Sequence, residues 1–119
     1  MKEQTRNYFE NLRENNENDA SKVARGTMAA YWCYMNTIDY NSSELECRDM
    51  PWERDISDFV NTLREAGVET FAITEKSTSL LENLHALAEL GCTIDCLCTV
   101  NRKRAYGEEE VPAIRIKIN

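Results

Sequence analysis

Histidine, proline and glycine are scarce in this chain of 119 residues: one, two and four copies. With one histidine, His85, the usual Cys/His zinc sets and the Ser/His/Asp triad have almost nothing to be built from. His85 lies between the faces carrying Leu84 and Leu87 and reads as a flank residue. The four glycines form neither GxGxxG nor GxxxxGK[ST], which excludes the glycine-rich phosphate loops. Long apolar runs are also missing. The longest apolar-rich stretch, Met28 to Met35, falls far short of the ~20 residues that cross a bilayer. The opening residues are polar and charged throughout, with no secretory pattern. Five cysteines, an odd number, at 33, 47, 92, 96 and 98, then read as reduced thiols in the cytoplasm.

Positive charge is short as well. Fourteen Lys and Arg face 21 Asp and Glu, giving a net charge of −7. A negative field of this kind repels nucleic acid and anionic membranes and favours basic protein partners. The length suits one domain, 1–119, with residues 1–19 as a loosely attached N-terminal arm.

What the chain does have is a change of hydrophobic period. An apolar run from Val68 to Thr74 gives way to helical spacing at Leu80, Leu81, Leu84, Leu87 and Ala88. Gly91 stops that helix, and alternation follows at Ile94, Cys96, Cys98 and Val100, then at Ile114, Ile116 and Ile118. Periods of 3.6 and 2 separate helix from strand, so the tail reads strand–helix–strand–strand. The first two strands should run parallel through a crossover, and the last two should form a hairpin containing Tyr106 and Gly107. Thr70 to Ile73 shows little alternation, the mark of a strand buried on both faces. The expected class is α/β, with α+β as the alternative: N-terminal helices before a small mixed sheet of three strands.

Upstream, Tyr8, Phe9 and Leu12 share one face of a short helix. A second helix, about Ala20 to Asp39, starts at Asp19 or Ser21 and carries Ala24, Met28, Tyr31, Met35 and Ile38 as its buried stripe. Trp32 and Tyr34 lie off that stripe and form the expected homo-oligomer surface. Asn41 to Asp49 reads as loop. Asp49 and Pro51 then open a third helix with Trp52, Ile56, Phe59, Val60 and Leu63 on its buried face, ended by Gly67. Ser79 and Glu82 match a capping box for the fourth helix.

Few clusters carry chemistry. Cys92, Cys96 and Cys98 are spaced C-x3-C-x-C, which does not converge tetrahedrally, so core packing is expected and no metal or cofactor is assigned. No nucleophile, base and oxyanion set can be filled, so the chain reads as a non-enzyme. Lys76, Ser77 and Thr78 lie where a strand ends and a helix begins, and they suit an anion. Arg102 to Arg104 is answered by Glu108 to Glu110, which weakens a nucleic-acid reading. Arg115 and Lys117 alternate with the isoleucines as charges guarding an edge strand. The remaining surface of interest is acidic: Glu44, Glu46, Asp49, Glu53, Asp55 and Asp58.

Asp55-Ile56-Ser57-Asp58-Phe59, Ala66-Gly67, Thr70-Phe71, Ser77-Thr78 and Gly91-Cys92 together resemble short acidic proteins of bacterial plasmids and phages. That resemblance implies an inhibitor of host defence, of the anti-CRISPR or anti-restriction kind. The expected function is therefore a protein-interaction module whose acids occupy the basic groove of a nucleic-acid-handling enzyme. It would contact no nucleic acid or membrane itself. The alternative is a small-ligand or anion-binding regulatory domain using Lys76, Ser77 and Thr78.

Overall fold

The computed structural model describes residues 1–16, 20–74 and 79–119. Helices α1 (Glu3–Asn15), α2 (Arg25–Asp39), α3 (Ile56–Glu65) and α4 (Leu80–Glu89) accompany four strands, β1 (Glu46–Cys47), β2 (Thr70–Ile73), β3 (Cys92–Arg104) and β4 (Gly107–Ile118). The strands form one mixed sheet in the order β1-β2-β4-β3, and the helices pack on one face of it in an α+β fold. None of the described helices is long and apolar enough to cross a membrane.

β1 pairs parallel to β2, while β2 and β3 both pair antiparallel to β4. β2 and β3 therefore run in the same direction, as the strand–helix–strand order requires, but β4 lies between them. That placement makes the last strand an interior one, so Arg115 and Lys117 guard no edge. β2 has neighbours on both sides, and Phe71, Ala72 and Ile73 are buried, as its lack of alternation implies. β3 and β4 extend well beyond the alternating positions Ile94 to Val100 and Ile114 to Ile118. Only Ala105 and Tyr106 remain in the turn, closed by Gly107 at φ 134°. Arg102 and Lys103 then stand opposite Glu109 and Glu108.

The main core lies between the helices and the near face of the sheet. Phe9, Ile56, Phe59, Val60, Leu63, Phe71, Leu87 and Ile116 are essentially inaccessible. α3 presents its stripe as its spacing predicts, but it begins at Ile56, after a 3-10 turn at Glu53–Asp55. Trp52 is extended (φ −60°, ψ 152°) and stands in solvent instead of joining that stripe. α1 is docked, not a loose arm. Phe9 stacks on Tyr34 with ring centroids 5.0 Å apart, and the Thr5 hydroxyl donates to the Ala66 carbonyl at 2.9 Å. Tyr34, 3% exposed, consequently belongs to the core and leaves the expected oligomer surface. Trp32 stays exposed. α4 begins without the side-chain cap bond that Ser79 and Glu82 suggest.

α2 turns a different face inward from the one its large residues define. Gly26, Ala30, Cys33, Tyr34 and Thr37 are buried, whereas Ala24 and Ile38 are exposed. The reason is a close approach to α3, which only small side chains permit. A Cβ on Gly26 would overlap the Asp55 carbonyl and sit 2.7 Å from the Phe59 nitrogen.

The segment read as loop between α2 and α3 holds the far face of the sheet together. The Ser43 N–H donates to the Asn101 carbonyl at 2.8 Å and the Lys103 N–H to Asn41 at 3.2 Å, along the outer edge of β3. Two residues after Ser43, Ala72 N–H donates to Leu45 at 2.9 Å and Thr74 N–H to Cys47 at 3.2 Å, along the outer edge of β2. In a flat sheet these two attachment lines, four spacings apart, would be separated by about 19 Å. The four residue-to-residue steps from Ser42 to Glu46 reach about 14 Å at most. The sheet must therefore curl around this strap, and its far face becomes a small second interior containing Ala72, Val100 and Ala113.

Replacing Gly26 by Ala would favour an isolated helix but force two backbones apart. The expected result is a loss of about 1–3 kcal/mol, lowering the melting temperature by several degrees in a calorimetric scan. An unchanged or raised melting temperature would contradict the close approach.

Candidate functional site

Register decides which side chains share the curled interior. Glu46 lies opposite Ala72, which lies opposite Arg115, which lies opposite Cys96, so all four project from the same face. A bulge between Ile94 and Cys96 resets the alternation of β3, so that Cys96, Cys98, Val100 and Arg102 follow onto this face. A glutamate and an arginine thus meet inside the protein.

Glu46 is wholly buried and Arg102 nearly so. Arg102 Nε lies 3.1 and 2.9 Å from the two carboxylate oxygens, and Nη2 makes a further bond to Oε1. The Ser42 hydroxyl donates to Glu46 at 2.6 Å and the Thr74 hydroxyl at 3.2 Å. The Glu46 N–H donates to Thr37 Oγ1, which itself donates to the Cys33 carbonyl. Burial alone would raise the Glu46 pKa. The bonds from Arg102 and Ser42, the Arg102 charge and the bond from Thr74 outweigh it and hold the carboxyl below its usual range. Arg102 also reaches Glu109 at 3.7 Å and stacks over Tyr40, whose ring lies within 4.6–5.2 Å of Arg48, Arg102 and Arg104.

Next to this pair, Arg115 holds Glu44 through two bonds of 3.1 and 2.8 Å and points Nη1 at Cys96 Sγ, 3.4 Å away. Burial, then the Glu44 charge, push the Cys98 pKa up, which keeps it a neutral thiol. Cys33, Cys47 and Cys92 are buried and form no disulfide. Cys33, Cys47 and Cys92 pack in the main core and Cys98 against the second interior, whereas Cys96 belongs to neither, and among the described residues no three His, Cys, Asp or Glu side chains converge as a metal set.

A cleft of about 950 Å³ opens at this end of the sheet, between the 48–53 segment, Thr74, the start of α4 and the β3–β4 hairpin. Its described lining includes Arg48 and Arg102 against Asp49, Glu53, Glu82 and Glu109. Arg102 is already engaged by Glu46, so carboxylates dominate the rim. Trp52, 76% exposed, stands at the mouth with Met50 and Pro51.

The acids chosen from sequence separate into two groups. Glu46 is internal and its charge is satisfied, so it cannot meet a partner. Glu44 is tied to Arg115, and Asp55 is half-buried beside Arg54 at 3.9 Å. Asp49, Glu53 and Asp58 are exposed, the first two on the cleft. Lys76, Ser77 and Thr78 lie outside the described residues. Sequence spacing missed Trp52, Glu82 and Glu109 as site residues, and missed the internal role of Arg102. A signal for Arg102 existed: it continues the even-numbered series Cys96, Cys98, Val100.

This constellation belongs to an α+β domain with a strapped sheet and an acidic cleft lined in part by an exposed tryptophan. Residues 29–118 match the family described as Domain of unknown function (DUF7698), and the chain belongs to that family. No curated protein and no solved structure gives a significant match to the chain.

Glu46→Gln keeps the shape of the buried pair but leaves Arg102 without its counter-charge. About 3–5 kcal/mol of stability should be lost at pH 7, read from urea unfolding. The Glu46 pKa is depressed on folding, so its contribution is complete above about pH 4.3, the unfolded value. It disappears as pH falls through the folded value, and the gap between wild type and variant should close in acid. A gap of constant size down to pH ~3 would refute the assignment.

Proposed function

We propose that the chain is a small interaction module that docks on a protein with a basic surface, seating Arg or Lys side chains of that partner in the cleft beside Trp52. One observation carries it: a tryptophan 76% exposed at the mouth of a cleft rimmed by Asp49, Glu53, Glu82 and Glu109. A guanidinium is attracted both to an indole face and to carboxylates, and tryptophan is enriched among the residues that dominate interface energy. The net charge of −7 supplies long-range steering toward such a partner.

Basic grooves of this kind belong to enzymes that handle nucleic acids. The module acts by filling the groove, as an inhibitor of the anti-CRISPR or anti-restriction type, in the cytoplasm where its thiols stay reduced. It performs no catalysis of its own. The regulatory-domain alternative needs an anion near Lys76, Ser77 and Thr78. The carboxylates on the described lining of the cleft, Asp49, Glu53, Glu82 and Glu109, favour a cation there instead.

An oligo-arginine peptide serves as a first probe. Binding should quench tryptophan emission and weaken with salt. Trp52→Ala should reduce affinity by about 30-fold, the effect of a 2 kcal/mol anchor. The combined reversals Asp49→Lys, Glu53→Lys and Asp58→Lys should abolish binding while leaving the melting temperature nearly unchanged. Used as bait in a host lysate, the wild-type protein should retain basic proteins that the triple variant does not. Equal peptide affinity for all three proteins would defeat the docking site, and equal capture would defeat the partner class.

A further inference from the structure

In a chain of net charge −7, three guanidiniums gather on one tyrosine. The central carbons of Arg48, Arg102 and Arg104 lie 5.2, 4.9 and 4.6 Å from the centroid of the Tyr40 ring. No two of them can then be more than about 10 Å apart, one Debye length at ~0.1 M salt, so salt does not hide them from one another. Arg102 is neutralised by Glu46 and Glu109. Arg48 and Arg104 pair with no carboxylate among the described residues. Register explains the second case. Lys103 stands opposite Glu108 and Arg102 opposite Glu109, but Arg104 stands opposite Gly107, which has no side chain. Asp39 and Asp49, the chain neighbours of Tyr40 and Arg48, are exposed and bridge to neither arginine.

Hydrogen-bond donors are left over at the same place. Arg48 Nη1 donates to the Tyr40 hydroxyl oxygen, and the proton of that hydroxyl goes to no described acceptor. Arg104 makes no side-chain hydrogen bond among the described residues. Stacking on a ring uses the flat face of a guanidinium and leaves the N–H fork in its plane available. The strap fixes the spacing, since the Lys103 N–H bonds Asn41 beside Tyr40 at 3.2 Å. We propose that Arg48, Arg104 and the Tyr40 hydroxyl form a receptor for a phosphate dianion carried by a small molecule. Two unpaired positive charges match a dianion, and three donor groups suit a tetrahedral oxyanion better than a carboxylate, which has one charge and two oxygens. The chain's negative field, with Glu108 to Glu110 on the neighbouring strand, repels a polyanion and so restricts the size of the ligand. Tyr106 supplies a second contact: it is 78% exposed, and Arg104 lies 5.3 Å from its ring centroid. A base attached to the phosphate would stack there.

Calorimetric titration with inorganic phosphate, at constant ionic strength in chloride, tests the receptor. The full chain should bind phosphate, and Arg48→Gln and Arg104→Gln should each weaken binding about tenfold. Tyr40→Phe, which keeps the ring, should weaken it to a smaller extent. Arg13→Gln, at an exposed arginine on α1, should bind as wild type does. Melting temperatures without phosphate should stay nearly the same in all four variants, which separates lost binding from lost folding. Adenosine 5′-monophosphate then identifies the source of the phosphate. Tighter binding than inorganic phosphate, with the gain lost in Tyr106→Ala, assigns a nucleotide; equal affinity assigns free phosphate. Trp52→Ala should bind phosphate normally, and Arg104→Gln should bind the oligo-arginine peptide normally, so this site and the docking cleft fail independently. Wild-type protein that takes up no phosphate would overturn the proposal. So would an equal loss in Arg13→Gln, adenosine binding as tightly as its monophosphate, or a single-stranded oligonucleotide binding more tightly than either.

Discussion

The buried bond between Glu46 and Arg102 sets the terms for everything at its end of the sheet. A carboxylate with no solvent access is tolerated because a guanidinium and two hydroxyls supply its hydrogen bonds. Those donors come from Ser42, Thr74 and Arg102, which lie on the strap, at the end of β2 and on β3. Satisfying one charge therefore requires both sheet edges to come to the same place. Curl of the sheet and burial of the ion are one constraint expressed twice. Alanines at 72 and 113 follow from it, since larger side chains would compete for the space that the pair and the strap occupy.

The same bonding sorts the acidic surplus. Counted over the chain, the acids look interchangeable, but Glu44 and Glu46 are spent on Arg115 and Arg102 inside the curl. Glu109 is drawn partly toward Arg102. The exposed remainder, Asp49 and Glu53 with Trp52 between them, sits on a segment held in place by the strap that precedes it. The placement of these acids thus rests on a frame that net charge alone does not reveal.

Much of the frame was legible in sequence. The 3.6 spacing of Ile56, Phe59, Val60 and Leu63 located α3, and Gly67 and Gly91, at φ 80° and 89°, end their helices as glycine should. Alternation at Ile114, Ile116 and Ile118 marked β4. The failures have physical causes. A two-residue strand such as β1 is too short for any period to register. The bulge near Asp95 exchanged the faces of β3, so Ile94 and Cys96 could not share one. α2 was misjudged because its inward face is built from small residues, chosen for backbone proximity to α3. Trp52 was assigned to the core on spacing, yet a 3-10 turn intervenes before the helix begins. None of these depends on residue type alone; each depends on which distant segment arrives alongside.

The position of β4 between β2 and β3 has a consequence for biosynthesis. On the ribosome, α1 to α4 and the first three strands emerge before the strand that joins them. Until then β2 and β3 have no common neighbour, and the isoleucine row of β4 is missing from the core. The hairpin turn at Ala105 and Tyr106 can form locally, but insertion of β4 beside β2 spans more than thirty intervening residues and is a non-local, slow event. Nascent chains should accordingly pass through a stage with helices formed and two unpaired strand edges, the stage at which a chaperone has most to hold.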